Sequence, residues 1–131
     1  MKMPNIDDLI KAAKEEDWEI VDKNILNICS DPVVQEKAIK LLTNSDRNVR
    51  DLGASILGKF PLSTKIFSRA KPILRKVMVN DENPYARYRA AFALAEHGVG
   101  EYKMEIIGAL IEASQDKDVG DIAKKYLARL K

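Results

Sequence analysis

Cysteine and histidine occur once each, at Cys29 and His97, tryptophan once, at Trp18, and aromatic residues make up 6% of the chain. A lone cysteine cannot close an intramolecular disulfide, so nothing points to an oxidising compartment. One histidine and one distant cysteine cannot supply the paired ligands, at i, i+3 or i+4, that helix-borne metal sites use. No CxxC, HExxH, GxGxxG or nucleophile-elbow pattern is present, so catalysis has no positive support. Long apolar runs are missing too: IIGALI (106–111) is among the longest, far below the ~20 residues of a membrane span. The opening MKMPNIDDLIK lacks the apolar centre of a secretory signal. No segment combines β-branched alternation with hairpin turn residues. These absences predict an all-α, cytoplasmic, non-enzymatic protein without cofactor, metal or membrane partner.

What is present fits one globular domain. The 131 residues are 46% hydrophobic and 32% charged, with a net charge of +2, too apolar and too balanced for disorder. The charge is unevenly spread: residues 1–31 carry 4 basic and 8 acidic side chains, 32–92 carry 12 and 5, and 93–131 carry 6 and 7. No acidic residue lies between Asp51 and Asp81.

Apolar residues recur at spacings of three and four, as in Ile6, Leu9, Ile10, Ala13 and again in Ile66, Ala70, Ile73, Leu74, Val77. Superposed on this is a longer period. NPYARYRAAFALAEHG aligns with DRNVRDLGASILGKF 37 residues earlier and with DKDVGDIAKKYLARL 33 later; DWEIVDKNILNICS is a weaker fourth copy. Asp17, Asp46, Asn83 and Asp116 form a column of residue types that N-cap helices, and Pro84 follows in the favoured first helical position. Ile20, Val49, Ala86 and Val119 come three residues on; Gly53-Ala54 and Ala90-Ala91, and then Ile28, Leu57, Leu94 and Leu127, complete one apolar stripe. Small residues at its centre let a neighbouring helix approach closely. An amphipathic segment precedes each copy, at 6–14, 32–43, 64–79 and 102–114. The chain therefore predicts four helix pairs, at about 6–30, 32–60, 64–98 and 101–130, each needing its neighbours to bury its apolar face. Lys124 replaces the small residue in the last copy, which predicts a solvent-facing end to the array.

The stretches VRDLGASILGKF (49–60) and ARYRAAFALAEHG (86–98) resemble the second helix of a HEAT repeat, and KPILRKVMVNDENPYAR (71–87) resembles its first-helix proline and Asp-rich turn. The resemblance covers most of residues 6–131, weakest in the first copy. It implies an α-solenoid of stacked pairs with the second helices along its concave side. It also implies that Arg50 and Arg87 bond loop aspartates; Asp46 is the expected partner of Arg50, at i, i+4, and Asp81 that of Arg87. Arrays of this kind serve mainly as binding surfaces, which specifies fold better than function.

Several features imitate sites. Gly53 to Lys59 spells GxxxxGK, but Phe60 stands where a phosphate loop needs Ser or Thr, and the stretch sits inside a predicted helix. Glu96-His97 is one reversed pair; His97 shares a column with Phe60 and Leu130 and is expected at the core edge. Cys29 shares one with Gly58 and Ala95 and is expected buried and inert, and Trp18 is expected to pack at the end of the stack. The expected partner-binding face consists of Tyr85, Arg89, Phe92 and Glu96, with Leu52 and Lys59 from the second repeat and Lys125 and Arg129 from the fourth. Tyr, Phe and Arg are types enriched at binding hot spots. On that reading the chain is a scaffold or adaptor for another protein or peptide, Arg89→Glu leaves folding nearly untouched, and Leu94→Ala costs ~2–5 kcal/mol. The alternative is nucleic-acid binding through the 59–76 stretch, with Lys65, Arg69, Lys71, Arg75 and Lys76 neutralising phosphates.

Overall fold

The computed structural model describes residues 3–130, which form eight α-helices, one short 3-10 turn and no strand. The helices are α1 (Ile6–Lys14), α2 (Trp18–Ile28), α3 (Pro32–Leu41), α4 (Arg47–Lys59), α5 (Thr64–Asn80), α6 (Pro84–His97), α7 (Lys103–Ala113) and α8 (Gly120–Leu130). Local chemistry sets their starts. Asp17, Asp31, Asp46, Ser63 and Asn83 each accept a first-turn backbone N–H, and Asn5 and Asp8 form a reciprocal capping box. Asp116 accepts from the N–H groups of Asp118 and Val119 just ahead of α8. The capping column read from the repeats is thus present in all four copies.

Consecutive helices pack as pairs, α1 on α2, α3 on α4, α5 on α6 and α7 on α8. Between pairs, α4 packs on α6 and α6 on α8, while α3 packs on α5 and α5 on α7. The first pair joins differently: α1 lies against α4, and α2 has its main contact with α1 alone. One continuous core results, with Leu9, Leu57, Leu74, Leu94, Ile106 and Leu110 fully buried. The small-residue column works by close approach. A Cβ on Gly53 would stand 2.8 Å from the Ala38 carbonyl oxygen and 2.9 Å from Leu41 Cβ, so the α3–α4 contact requires hydrogen there. Lys124 is exposed.

Polar bonds lace neighbouring pairs together. Arg50 seats Nε and Nη2 on the two carboxylate oxygens of Asp81, at 2.7 and 3.1 Å. This corrects the expected Asp46–Arg50 bond: Asp46 is occupied in accepting the N–H groups of Asn48 and Val49. Arg87 in turn donates to the backbone oxygen of Asp81 and to Glu112, because the Asp81 carboxylate is taken by Arg50 and by the Asn83 N–H. Arg50 and Arg87 share a second bond, each donating to a carbonyl six residues upstream, Asn44 and Asp81, at 2.9 Å. His97 sits at the core edge, Nε2 2.8 Å from the Leu57 carbonyl oxygen and its ring 5.4 Å from Phe67. Cys29 is buried, and burial pushes its thiol pKa up. The GxxxxGK stretch lies within α4.

Candidate functional site

A depression of about 600 Å³ forms a groove crossing α2, α4 and α6 and reaching the start of α8. Its wall from the first pair carries Trp18, Asp22 and Ile25; α4 contributes Asn48, Asp51, Ser55 and Lys59; Tyr85 and Arg89 come from α6, and Asp118 and Ile122 from the last pair. These are successive turns of the second helices, so the 3.6-residue period brings i, i+4 and i+7 positions onto one lining. Tyr85 is held there by its hydroxyl, whose one proton is shared between Asp116 at 3.0 Å and Asp118 at 3.2 Å; the bond to Asp116 foremost pushes its pKa up to about 12.

At the floor, Asp51 is buried and accepts from Ser55 Oγ at 3.3 Å. Burial raises its pKa, against the opposing pull of Arg89 and the Ser55 bond. Arg89 Nε lies 3.7 Å from Asp51 Oδ1, an ion pair too long for a hydrogen bond. The groove mixes signs, with Asp22, Asp51 and Asp118 facing Lys59 and Arg89.

The face grouped by sequence spacing divides in two. Tyr85, Arg89 and Lys59 line the groove; Phe92, Glu96, Leu52, Lys125 and Arg129 do not. Leu52 is fully buried, a correction with a geometric cause: α4 packs on α3, α6 and α1 at once, so its apolar face is wider than one stripe. Phe92 is buried as well, its ring stacked 5.4 Å from Tyr126 of α8. Beside it Arg129 pairs with Glu96 at 3.0 Å and covers the Tyr126 ring, while Lys125 stays exposed. That cluster closes the α6–α8 seam on itself. The expectation for Arg89→Glu changes too, since the substitution would set a second carboxylate against buried Asp51.

Sequence reading passed over Asp51, Asp22 and the groove side of Trp18. A signal existed: Asp22, Asp51 and Asp121 share one column of the repeat, an acid recurring beside the apolar stripe.

The basic stretch has acidic neighbours in space that it lacks in sequence. Arg69 pairs with Glu36 of α3, Lys71 with Glu101 at 3.1 Å, and Arg75 forks onto Glu105 of α7 at 2.8 and 3.2 Å. Tyr102 lies under both Lys71 and Arg75. Lys65 is exposed, and Lys76 edges a second depression of about 420 Å³ that it shares with Asp81 and Glu82. Three of the five cations are therefore engaged by carboxylates.

Among the described residues no three side chains are grouped to hold a metal ion, and no helix is long and apolar enough to cross a membrane. No protein-family model, curated protein or solved structure matches the chain.

Proposed function

We propose that this chain is a non-catalytic, cytoplasmic protein-binding module, an α-solenoid of four HEAT-like helix pairs whose second helices present a groove to a polypeptide. The observation that carries the reading is the groove itself. It gathers half-buried Trp18 and Tyr85 with Arg89, residue types that dominate binding energy at interfaces. Rigid helices hold these side chains in place before binding, so little ordering entropy is lost on capture. Nucleic-acid binding through Lys65, Arg69, Lys71, Arg75 and Lys76 is the second reading, and the carboxylates that engage three of these cations weigh against it.

The test compares two proteins, the full chain and a groove-blocked variant, Asp22→Arg/Ile122→Arg, altered only at exposed lining positions. A displayed library of 12-residue peptides is selected against each. Enrichment on the parent chain that disappears on the blocked variant supports the reading; equal enrichment on both, or none, contradicts it. Anisotropy of labelled duplex DNA and single-stranded RNA across a salt series tests the second reading. Micromolar affinity falling steeply with salt would favour it.

A further inference from the structure

The groove floor holds a polar arrangement that the fold leaves incomplete. Asp51 has only 10% of its side chain exposed and one hydrogen bond, from Ser55. Arg89 Nε is buried with no hydrogen-bond partner among the described residues, and buried donors without acceptors are rare in folded proteins. Two other arginines of this protein behave differently. Arg50 and Arg75 each close a two-bond fork, Nε and Nη2 on the paired oxygens of one carboxylate. Arg89 faces a carboxylate at 3.7 Å and leaves that fork open.

A ligand completing this arrangement must accept from Arg89 and donate to Asp51 at once. An anion would meet Asp51, and a cation would meet Arg89; a neutral donor–acceptor pair suits both. In an extended chain the N–H and C=O of one residue project to the same side, as in the hydrogen-bonded pairs of an antiparallel sheet. We infer that Asp51 and Arg89 grip the backbone of one residue of an extended peptide, its N–H donating to Asp51 and its C=O accepting from a terminal Nη group of Arg89. The Arg89 side chain is 26% exposed, while Nε itself is closed to the groove. The inference rests on the protein-binding reading above and adds what that reading leaves open, the conformation and anchor of the partner. Dimensions agree. Helices packed 8–10 Å apart place α4, α6 and α8 across about 18 Å, the reach of about six extended residues. Tyr85 and Ile122 offer apolar surface along that path, and Trp18 adds more from the α2 wall of the groove.

The experiment takes a 12-residue peptide selected on the full chain and N-methylates its backbone one residue at a time. One position is expected to lose at least about tenfold in affinity, because methylation deletes the donor to Asp51. In Asp51→Ala the same methylation is expected to change affinity less than about twofold, since the acceptor is gone. Asp51→Leu, close to Asp in shape and without an acceptor, replaces the alanine variant if that variant does not unfold cooperatively. Peptides that bind the groove yet tolerate methylation at every position would overturn the inference while leaving the binding reading intact. So would dependence on an Asn or Gln side chain, shown by alanine scanning, with no sensitive backbone position. If no peptide distinguishes the parent chain from the groove-blocked variant, both fail.

Discussion

Two glycines in mid-helix positions predict opposite responses to the same substitution. Gly→Ala in a helix interior gains about 1 kcal/mol of propensity, because glycine loses the most backbone entropy on folding. At Gly53 the added Cβ would lie 2.8 Å from a carbonyl oxygen fixed in the backbone of α3, and 2.9 Å from Leu41 Cβ. Neither atom can swing aside as the end of a flexible side chain could, so α3 and α4 must separate against a packed core. Overpacking of this kind costs ~1–3 kcal/mol, and the separation also loosens fully buried neighbours such as Leu42 and Leu57. The net expectation for Gly53→Ala is a loss of about 1–2 kcal/mol. At Gly108, in exposed mid-α7, an added Cβ meets nothing within 4 Å, so Gly108→Ala should gain about 0.5–1 kcal/mol. Urea unfolding followed by circular dichroism reads the difference: with m-values of 1–3 kcal/mol/M, the two midpoints should separate by roughly 1 M. A Gly53→Ala variant as stable as Gly108→Ala would refute the claim that α3 and α4 meet through that glycine.

Leu94→Ala, at a fully buried position of α6, should lose ~2–5 kcal/mol in the same assay; a loss under 1 would misplace the core stripe. Asp81→Ala should cost about 2–3 kcal/mol, since it strips Arg50 of its fork and frees the Asn83 N–H, and a double-mutant cycle with Arg50→Met should show coupling above 0.5 kcal/mol. Asp51→Asn should leave stability at pH 7 unchanged or raised: burial holds its folded pKa above the unfolded value, so the folded state binds more protons between the two and stability falls as pH rises through that window. A large loss would make Asp51 a structural residue. Ultraviolet titration of the four tyrosines should show two, Tyr85 and Tyr126, ionising near pH 12. Their unfolded counterparts ionise near 10, so stability should decline between those values; Tyr85→Phe should remove one late-titrating group.

Features set within one turn of chain were readable from sequence. The capping residues Asp17, Asp46, Asn83 and Asp116 act on N–H groups two or three residues away, and a helix start needs little else. The small column at Gly53-Ala54 and Ala90-Ala91 was readable because its spacing recurs from copy to copy. Pairings between one helix pair and the next were not. Arg50 finds Asp81 31 residues on, Arg75 finds Glu105 30 on, and Phe92 stacks on Tyr126; the repeat length brings such residues together, and no local period encodes it. Leu52 shows the same gap from another side. A single stripe assigns it to the surface, yet α4 touches three other helices and buries it. Asp51 illustrates why half of the site stayed hidden: its burial depends on α6 lying across α4, while its sequence neighbours look like an ordinary solvated helix face.

Amide shift mapping of the isotope-labelled full chain distinguishes the proposed binding of polypeptide along α2, α4, α6 and α8 from binding elsewhere. On addition of a selected peptide, perturbed amides should cluster at residues 18–25, 48–59, 85–89 and 118–122, with α5 and α7 silent. Perturbations centred on Lys65, Lys71 and Lys76 instead would contradict the account and move the binding surface to the basic face.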